Sequence, residues 1–124
     1  FLLAVYDSET ETYQTFCRCM SGFTDEFYQK QTAFFKERII DNPTVRGESC
    51  SVWFEPCQVW EIRGAELTVS PVHKAGEGLL AHESKGLSCR FPRFIRVRED
   101  KDVVDTTSPE QLVDMFHAQH RKLS

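Results

Sequence analysis

A glycine interrupts the longest strand-like run of this chain, and the side-chain alternation on its two sides is out of step. In Gln58–Ser70 (QVWEIRGAELTVS), Trp60 and Ile62 share one parity, Ala65, Leu67 and Val69 share the other, and Gly64 lies between. Successive side chains of a strand point to opposite faces, so a one-residue slip at a glycine predicts a β-bulge that bends the strand. A small barrel needs such corners. Phe1–Tyr6 (FLLAVY) and Thr12–Met20 (TYQTFCRCM) read as a hairpin around the polar turn Asp7–Glu11, Val52–Phe54 as a short strand, and Leu87–Arg98 as a further strand.

Two segments carry helix signals instead. Thr24 stands where an N-cap belongs, Asp25 and Glu26 follow in the positive first turn, and Phe27, Phe34, Phe35 and Ile39 recur near the helical period. A helix is predicted from Thr24 to Ile40, favoured at its end by Lys36 and Arg38 and stopped by Asn42-Pro43. Ser108-Pro109-Glu110-Gln111 has an N-cap, a proline at the first helical position and a glutamine at the third, which opens a C-terminal helix over 109–122. Asn42–Ser51 reads as loop and Gly76–Gly86 as a flexible connection. Short antiparallel strands around one internal helix indicate a mostly β domain, a small barrel. The OB-fold is the commonest nucleic-acid-binding example, but periodicity alone does not separate it from other small barrels.

The chain has the length of one domain, and 40% hydrophobic residues with ten phenylalanines supply a core that a disordered or fibrous segment lacks. The longest apolar run, Phe1–Tyr6, falls far short of the ~20 residues of a membrane span, so a soluble chain with no membrane partner is expected. It starts on Phe1 inside a strand, with neither a basic leader nor a cleavage-site pattern, and is expected to be part of a longer polypeptide. Cys17, Cys19, Cys50, Cys57 and Cys89 are an odd number without the spacing of a disulfide scaffold. Reduced thiols in a nuclear or cytosolic compartment fit better, and no paired motif supports a zinc site.

The net charge of −4 hides an asymmetry. Lys85, Arg90, Arg93, Arg96, Arg98 and Lys101 stand against only Glu99 and Asp100, so residues 85–101 carry +4 and the remainder −8. A concentrated basic patch attracts a polyanion even on an acidic protein. If Leu87–Arg98 alternates strictly, Leu87, Cys89, Phe91, Ile95 and Val97 form a core face, and Ser88, Arg90, Phe94, Arg96 and Arg98 an outward one. Pro92 interrupts the ladder and lets Arg93 swing out. Three arginines around an exposed phenylalanine repel one another unless a polyanion or surface carboxylates pair with them. Phosphates would accept two hydrogen bonds from each guanidinium, and the exposed ring would wedge into a minor groove or stack on a base. In Arg98-Glu99-Asp100-Lys101, two cations bracket two carboxylates at a strand end, an arrangement suited to nucleotide phosphates and equally to a solvated turn.

The stretch Cys89–Lys101 (CRFPRFIRVREDK), followed by Thr106-Thr107-Ser108, resembles motif VI of ATP-dependent DNA ligases, closest to the replicative eukaryotic class I type. FLLAVYD, the segment Gly22–Glu26 and Val59–Pro71 also resemble successive parts of that family's C-terminal OB-fold domain. Residues 35–57 depart, being shorter than the family pattern. The resemblance implies a small Greek-key antiparallel β-barrel over 1–124 with one internal and one C-terminal helix, whose first strand lies upstream of Phe1.

It also implies a role. These ligases transfer AMP from ATP to a lysine, then to the 5′-phosphate of a nick, which the 3′-hydroxyl attacks with release of AMP; Mg2+ offsets the phosphate charge. The nucleophilic lysine belongs to a Lys-Asp-Gly motif in a separate adenylation domain of the same polypeptide. None of Lys30, Lys36, Lys74, Lys85, Lys101 or Lys122 precedes Asp-Gly, so this segment alone is expected not to react with ATP, nor to hold the metal. By motif match, Arg98, Asp100 and Lys101 would orient the β- and γ-phosphates, while Arg90, Arg93, Phe94 and Arg96 would engage the minor groove of nicked duplex DNA. A monomeric nuclear enzyme follows, with mitochondria as the alternative compartment. A free-standing OB-type binding module, or the OB domain of an RNA ligase or capping nucleotidyltransferase, is the competing reading.

The other candidates are blander. His73, His82, His117 and His120 lack a carboxylate or cysteine motif and read as solvated; Trp53, Trp60 and the phenylalanines from Phe16 to Phe35 read as core. Glu9, Glu11, Asp102 and Asp105 read as solvated acids.

Overall fold

The computed structural model describes residues 1–80 and 85–123, the last four of these by backbone alone. Residues 81–84, with His82 and part of the predicted flexible connection, lie outside the described residues, as does the side chain of His120.

The N-terminal hairpin forms as the sequence predicts. Strands β1 (Leu2–Asp7) and β2 (Thr12–Arg18) pair antiparallel from Leu2↔Arg18 to Asp7↔Thr12, with an irregularity between Leu3 and Ala4. Beyond it, helix α1 (Asp25–Lys36) begins where Thr24 accepts a hydrogen bond from the Phe27 backbone N–H at 3.1 Å. The helix ends four residues short of the predicted Ile40. Arg38 closes it, donating from its backbone N–H to the Phe35 carbonyl at 2.9 Å and from Nη1 to the Phe34 carbonyl at 2.6 Å, with its guanidinium 3.7 Å from the Phe34 ring centroid. The β-branched Ile39 and Ile40 are thereby released into β3 (Ile39–Ile40), which pairs antiparallel with β5 (Trp53–Phe54). Between them, β4 (Val45–Arg46) adds parallel to β2 within the stretch read as loop.

The long run at Gly64 divides into β6 (Trp60–Arg63) and β7 (Glu66–Ser70), and Leu87–Arg98 divides into β8 (Gly86–Arg90) and β9 (Arg93–Val97). β7 pairs with β8 and β6 with β9, both antiparallel, so the two long segments bend together as one folded ribbon. Gly64 sits at the bend because a Cβ there would run into the Cys89 sulfur. On the opposite strand, Phe91 takes a left-handed backbone with φ 56°, unusual for a bulky residue, and Pro92 follows it. The predicted single strand breaks there.

Helix α2 (Pro109–Leu123) starts with the predicted reciprocal cap: Gln111 N–H donates to Ser108 Oγ at 3.1 Å and Ser108 N–H to Gln111 Oε1 at 2.8 Å. Its Leu112 and Val113 complete a core with Val5, Phe16, Cys17, Leu67, Ala75 and Leu87. Gln119 ties it to β7, donating to the Leu67 carbonyl at 2.9 Å and accepting from the Leu67 N–H at 2.8 Å. The whole is an OB-like, mostly β domain with two helices. Among the described residues, its small sheets do not close into a barrel.

Candidate functional site

The register of the bent ribbon decides which way the basic residues face. On β6, Trp60 and Ile62 face inward and Glu61 and Arg63 outward, and their partners on β9 follow suit: Trp60↔Val97, Glu61↔Arg96, Ile62↔Phe94 and Arg63↔Arg93. Two residues of β6 face three of β9 between Glu61 and Ile62, so Ile95 is the extra residue of a bulge and is 45% exposed. The expected outward position of Phe94 is therefore corrected. Its ring is 7% exposed, with its centroid 4.7 Å from those of Phe27 and Trp60 and 6.0 Å from that of Phe23. Phe91 and Ile95, expected in the core, are exposed instead. Strict alternation breaks down because the corner at Phe91-Pro92 and the bulge at Ile95 each shift parity by one.

A second close approach holds Phe94 in place. Its backbone N–H donates to the Ser21 carbonyl at 2.9 Å, and Gly22 (φ 95°) passes so near that a Cβ would meet the Phe94 backbone. Phe1, Phe23, Phe27, Tyr28, Phe35 and Trp60 extend this aromatic cluster over the residue before β1, the loop before α1, α1 itself and β6. Of the aromatic residues predicted to be core, Phe16 and Phe35 are buried, whereas Phe23, Phe27, Phe34, Trp53 and Trp60 are half-buried.

The arginines remain at the surface, but most have carboxylate partners. Arg90 donates to Glu66, its cross-strand neighbour, at 2.9 Å, and its guanidinium lies 5.1 Å from the Phe91 ring centroid. Arg96 donates to Glu61, directly opposite, at 3.2 Å. Exposed pairs of this kind contribute about 0–1 kcal/mol each, so they are easily exchanged for another anion. Arg98 is held more fully: Nε and Nη2 donate to the two carboxylate oxygens of Asp100 at 2.9 and 2.7 Å, and Nη1 to Glu61 at 3.2 Å. The Arg98 guanidinium holds the Asp100 carboxyl well below the usual carboxylate range, and Asp100 with Glu61 pushes Arg98 up. The exposed Lys101 donates its backbone N–H to the Arg98 carbonyl at 3.3 Å, which wraps the turn around the pair.

The structure thus brings Arg98, Asp100 and Lys101 together in one turn and keeps Arg90, Arg93 and Arg96 outward along the ribbon. It also places there two residues that sequence reasoning missed. Glu61 receives both Arg96 and Arg98, and Arg63 lies opposite Arg93. The parity of Glu61 and Arg63 with each other was readable in Gln58–Ser70, but their pairing with β9 was not. Among the described residues, the group best placed to share a cation is Asp7, Glu9 and Glu110, whose carboxylate oxygens lie within 4.8 Å of one another. No described helix is long and apolar enough to cross a membrane.

Fold and site together define an OB-like β domain that carries a bent, arginine-rich ribbon ending in a charged turn. Residues 1–101 match the family model described as ATP dependent DNA ligase C terminal region. The chain is 46% identical to DNA ligase 6 of Arabidopsis thaliana, an alignment covering all of the chain and 9% of that protein. It is 43% identical to DNA ligase 1 of the same plant and 40% to DNA ligase 1 of Drosophila melanogaster, each over 96% of the chain and 16% of the relative. The chain belongs to the family of the C-terminal region of ATP-dependent DNA ligases. It spans less than a fifth of the length of these relatives.

Proposed function

We propose that this chain is the OB domain of a multidomain ATP-dependent DNA ligase that seals nicks in duplex DNA, and that it serves two steps with two ends of one ribbon. The observation that carries this reading is the continuity of the ribbon: the motif-matched residues Arg90 to Lys101 lie on β8, β9 and the turn after them, inside the region the family model matches.

At the turn, Arg98, Asp100 and Lys101 would face the triphosphate of ATP while a lysine of the adenylation domain takes the AMP. The donor set fits phosphates: a guanidinium oriented by its bidentate carboxylate, beside an exposed ammonium. Such help is electrostatic, positioning the pyrophosphate as its bond to the α-phosphate breaks. Mg2+ would offset charge on the phosphates. Asp100 would act by orienting Arg98, because both its oxygens already accept from that guanidinium.

Along the ribbon, Arg90, Arg93, Phe94 and Arg96 would engage the minor groove at the nick. Arg93 is already outward. Phe94 can reach DNA only if Phe23 and Phe27 part from it, so its contribution is coupled to a movement of the loop before α1 and of the helix start. The same reading makes the partners nicked duplex DNA and the adenylation domain, the cofactors ATP and Mg2+, the enzyme a monomer, and the compartment the nucleus, with mitochondria as the alternative.

The test separates the steps in the full-length ligase, using radiolabelled ATP for self-adenylation and pre-adenylated nicked DNA for sealing. Asp100→Ala or Lys101→Ala should damage self-adenylation more than sealing, and Arg93→Ala the reverse. Equal loss in both steps for all three variants would refute the division of labour.

A further inference from the structure

Charged residues face each other across the bent ribbon in three directly opposed pairs. Two are complementary, Glu66 with Arg90 and Glu61 with Arg96, and each closes an ion pair. The third, beside the corner, sets Arg63 opposite Arg93. Like charges directly opposite in an antiparallel ladder repel, with Cβ atoms about 4.5–5.5 Å apart. Both side chains are exposed, and among the described residues neither makes an ion pair or a side-chain hydrogen bond. Glu61, two residues before Arg63 on β6, is already taken by Arg96 and Arg98.

Neither a core role nor an internal partner accounts for this couple. Two guanidiniums side by side do match one anion with several acceptor oxygens, since each can donate two parallel hydrogen bonds. The couple also lies beside the corner of Phe91 and Pro92, where Phe91 is 72% exposed. We propose that Arg63 and Arg93 together bind one phosphodiester of the DNA backbone, which makes Arg63 a DNA contact on the strand that precedes the recognised motif. The proposal rests on the DNA-engaging reading above and adds to it a specific residue and a shared ligand.

The experiment measures binding of the full-length ligase to nicked duplex, without nucleotide, as a function of salt. Each phosphate contact contributes about 0.9 to the slope of log affinity against log salt. Arg63→Gln and Arg93→Gln should each lower the slope by about that amount and weaken binding about threefold to tenfold near physiological salt. Because the two share one phosphate, the double variant should lose little more than either single one. Arg63→Glu places a carboxylate opposite Arg93, as Glu61 stands opposite Arg96, so it should bind DNA worst while melting no lower than the parent protein. In Arg63→Gln, self-adenylation should keep its KM for ATP.

A slope change from only one of the two arginines overturns the couple and leaves the DNA reading standing. No change from Arg63→Gln, Arg93→Gln or Arg96→Gln overturns the reading of this face as well. A raised KM for ATP in Arg63→Gln would assign the couple to a triphosphate and overturn the backbone assignment.

Discussion

The inward Phe94 ring makes a prediction that a solvent-exposed wedge would not. Phe94→Ala removes a side chain that is 7% exposed and leaves a hole between Phe23, Phe27 and Trp60. Fully buried Phe→Ala changes cost about 3–5 kcal/mol through lost transfer and the residual cavity. Here Phe23, Phe27 and Trp60 are themselves half-buried, so part of the hole can collapse or fill with water. Ring pairs in contact add about 0.5–1.5 kcal/mol beyond area, and two of the three lie at 4.7 Å. The two effects oppose, and the expected loss is about 2–4 kcal/mol, or roughly 6–20 °C in Tm for a domain of this size. Urea denaturation followed by tryptophan fluorescence reports it directly, because Trp60 is one of the affected rings. Phe94→Leu, which keeps most of the volume, should lose less than half as much. A Phe94→Ala protein within about 0.5 kcal/mol of the parent would refute the packing described here, and with it the coupling between DNA contact and movement of the α1 start.

Other perturbations test the rest of the frame. Gly64→Ala should destabilise by about 1–3 kcal/mol, since its Cβ collides with the Cys89 sulfur, and Cys89→Ala in the same chain should recover part of that loss; additive losses would show that the collision is not the cause. His73, read from the sequence as solvated, is instead half-buried: it shares a hydrogen bond with Thr15 at 3.1 Å, and burial lowers its pKa from the ordinary 6.5. The unfolded chain therefore binds a proton first, so stability should fall as pH drops below about 6.5 toward the depressed native value. His73→Gln should flatten that slope, measured by denaturant midpoints between pH 7.5 and 5. Burial pushes the Cys17 thiol up to about 12, so at pH 8 only about one part in ten thousand is thiolate. Iodoacetamide on the native protein should label the exposed Cys57 well before Cys17, as read by peptide mass; equal labelling would place Cys17 at the surface.

What could be read from the chain alone was local. Thr24 and the Ser108–Gln111 box announced both helix starts because a cap acts through side chains within three residues of the backbone it satisfies. The slip of parity at Gly64 announced the bend, and the run from Cys89 to Lys101 announced the family. Alternation misplaced Phe94 because it assumes an unbroken strand, whereas Phe91 turns left-handed and Ile95 is bulged out against β6. Ile39 and Ile40 left the helix for the same kind of reason: a partner strand thirteen to fifteen residues away in sequence competed for them.

Tertiary structure decided the rest. That Arg96 meets Glu61, and that Arg63 and Arg93 meet no carboxylate among the described residues, follows from the register between β6 and β9, segments thirty residues apart, as the meeting of Arg90 with Glu66 follows from that between β7 and β8. Register is settled by the combined burial of Trp60, Ile62, Phe94 and Val97 on one face, and no single residue encodes it. A chain can announce its turns, caps and corners one short segment at a time, but charges come to face each other only after distant segments have buried their common apolar side.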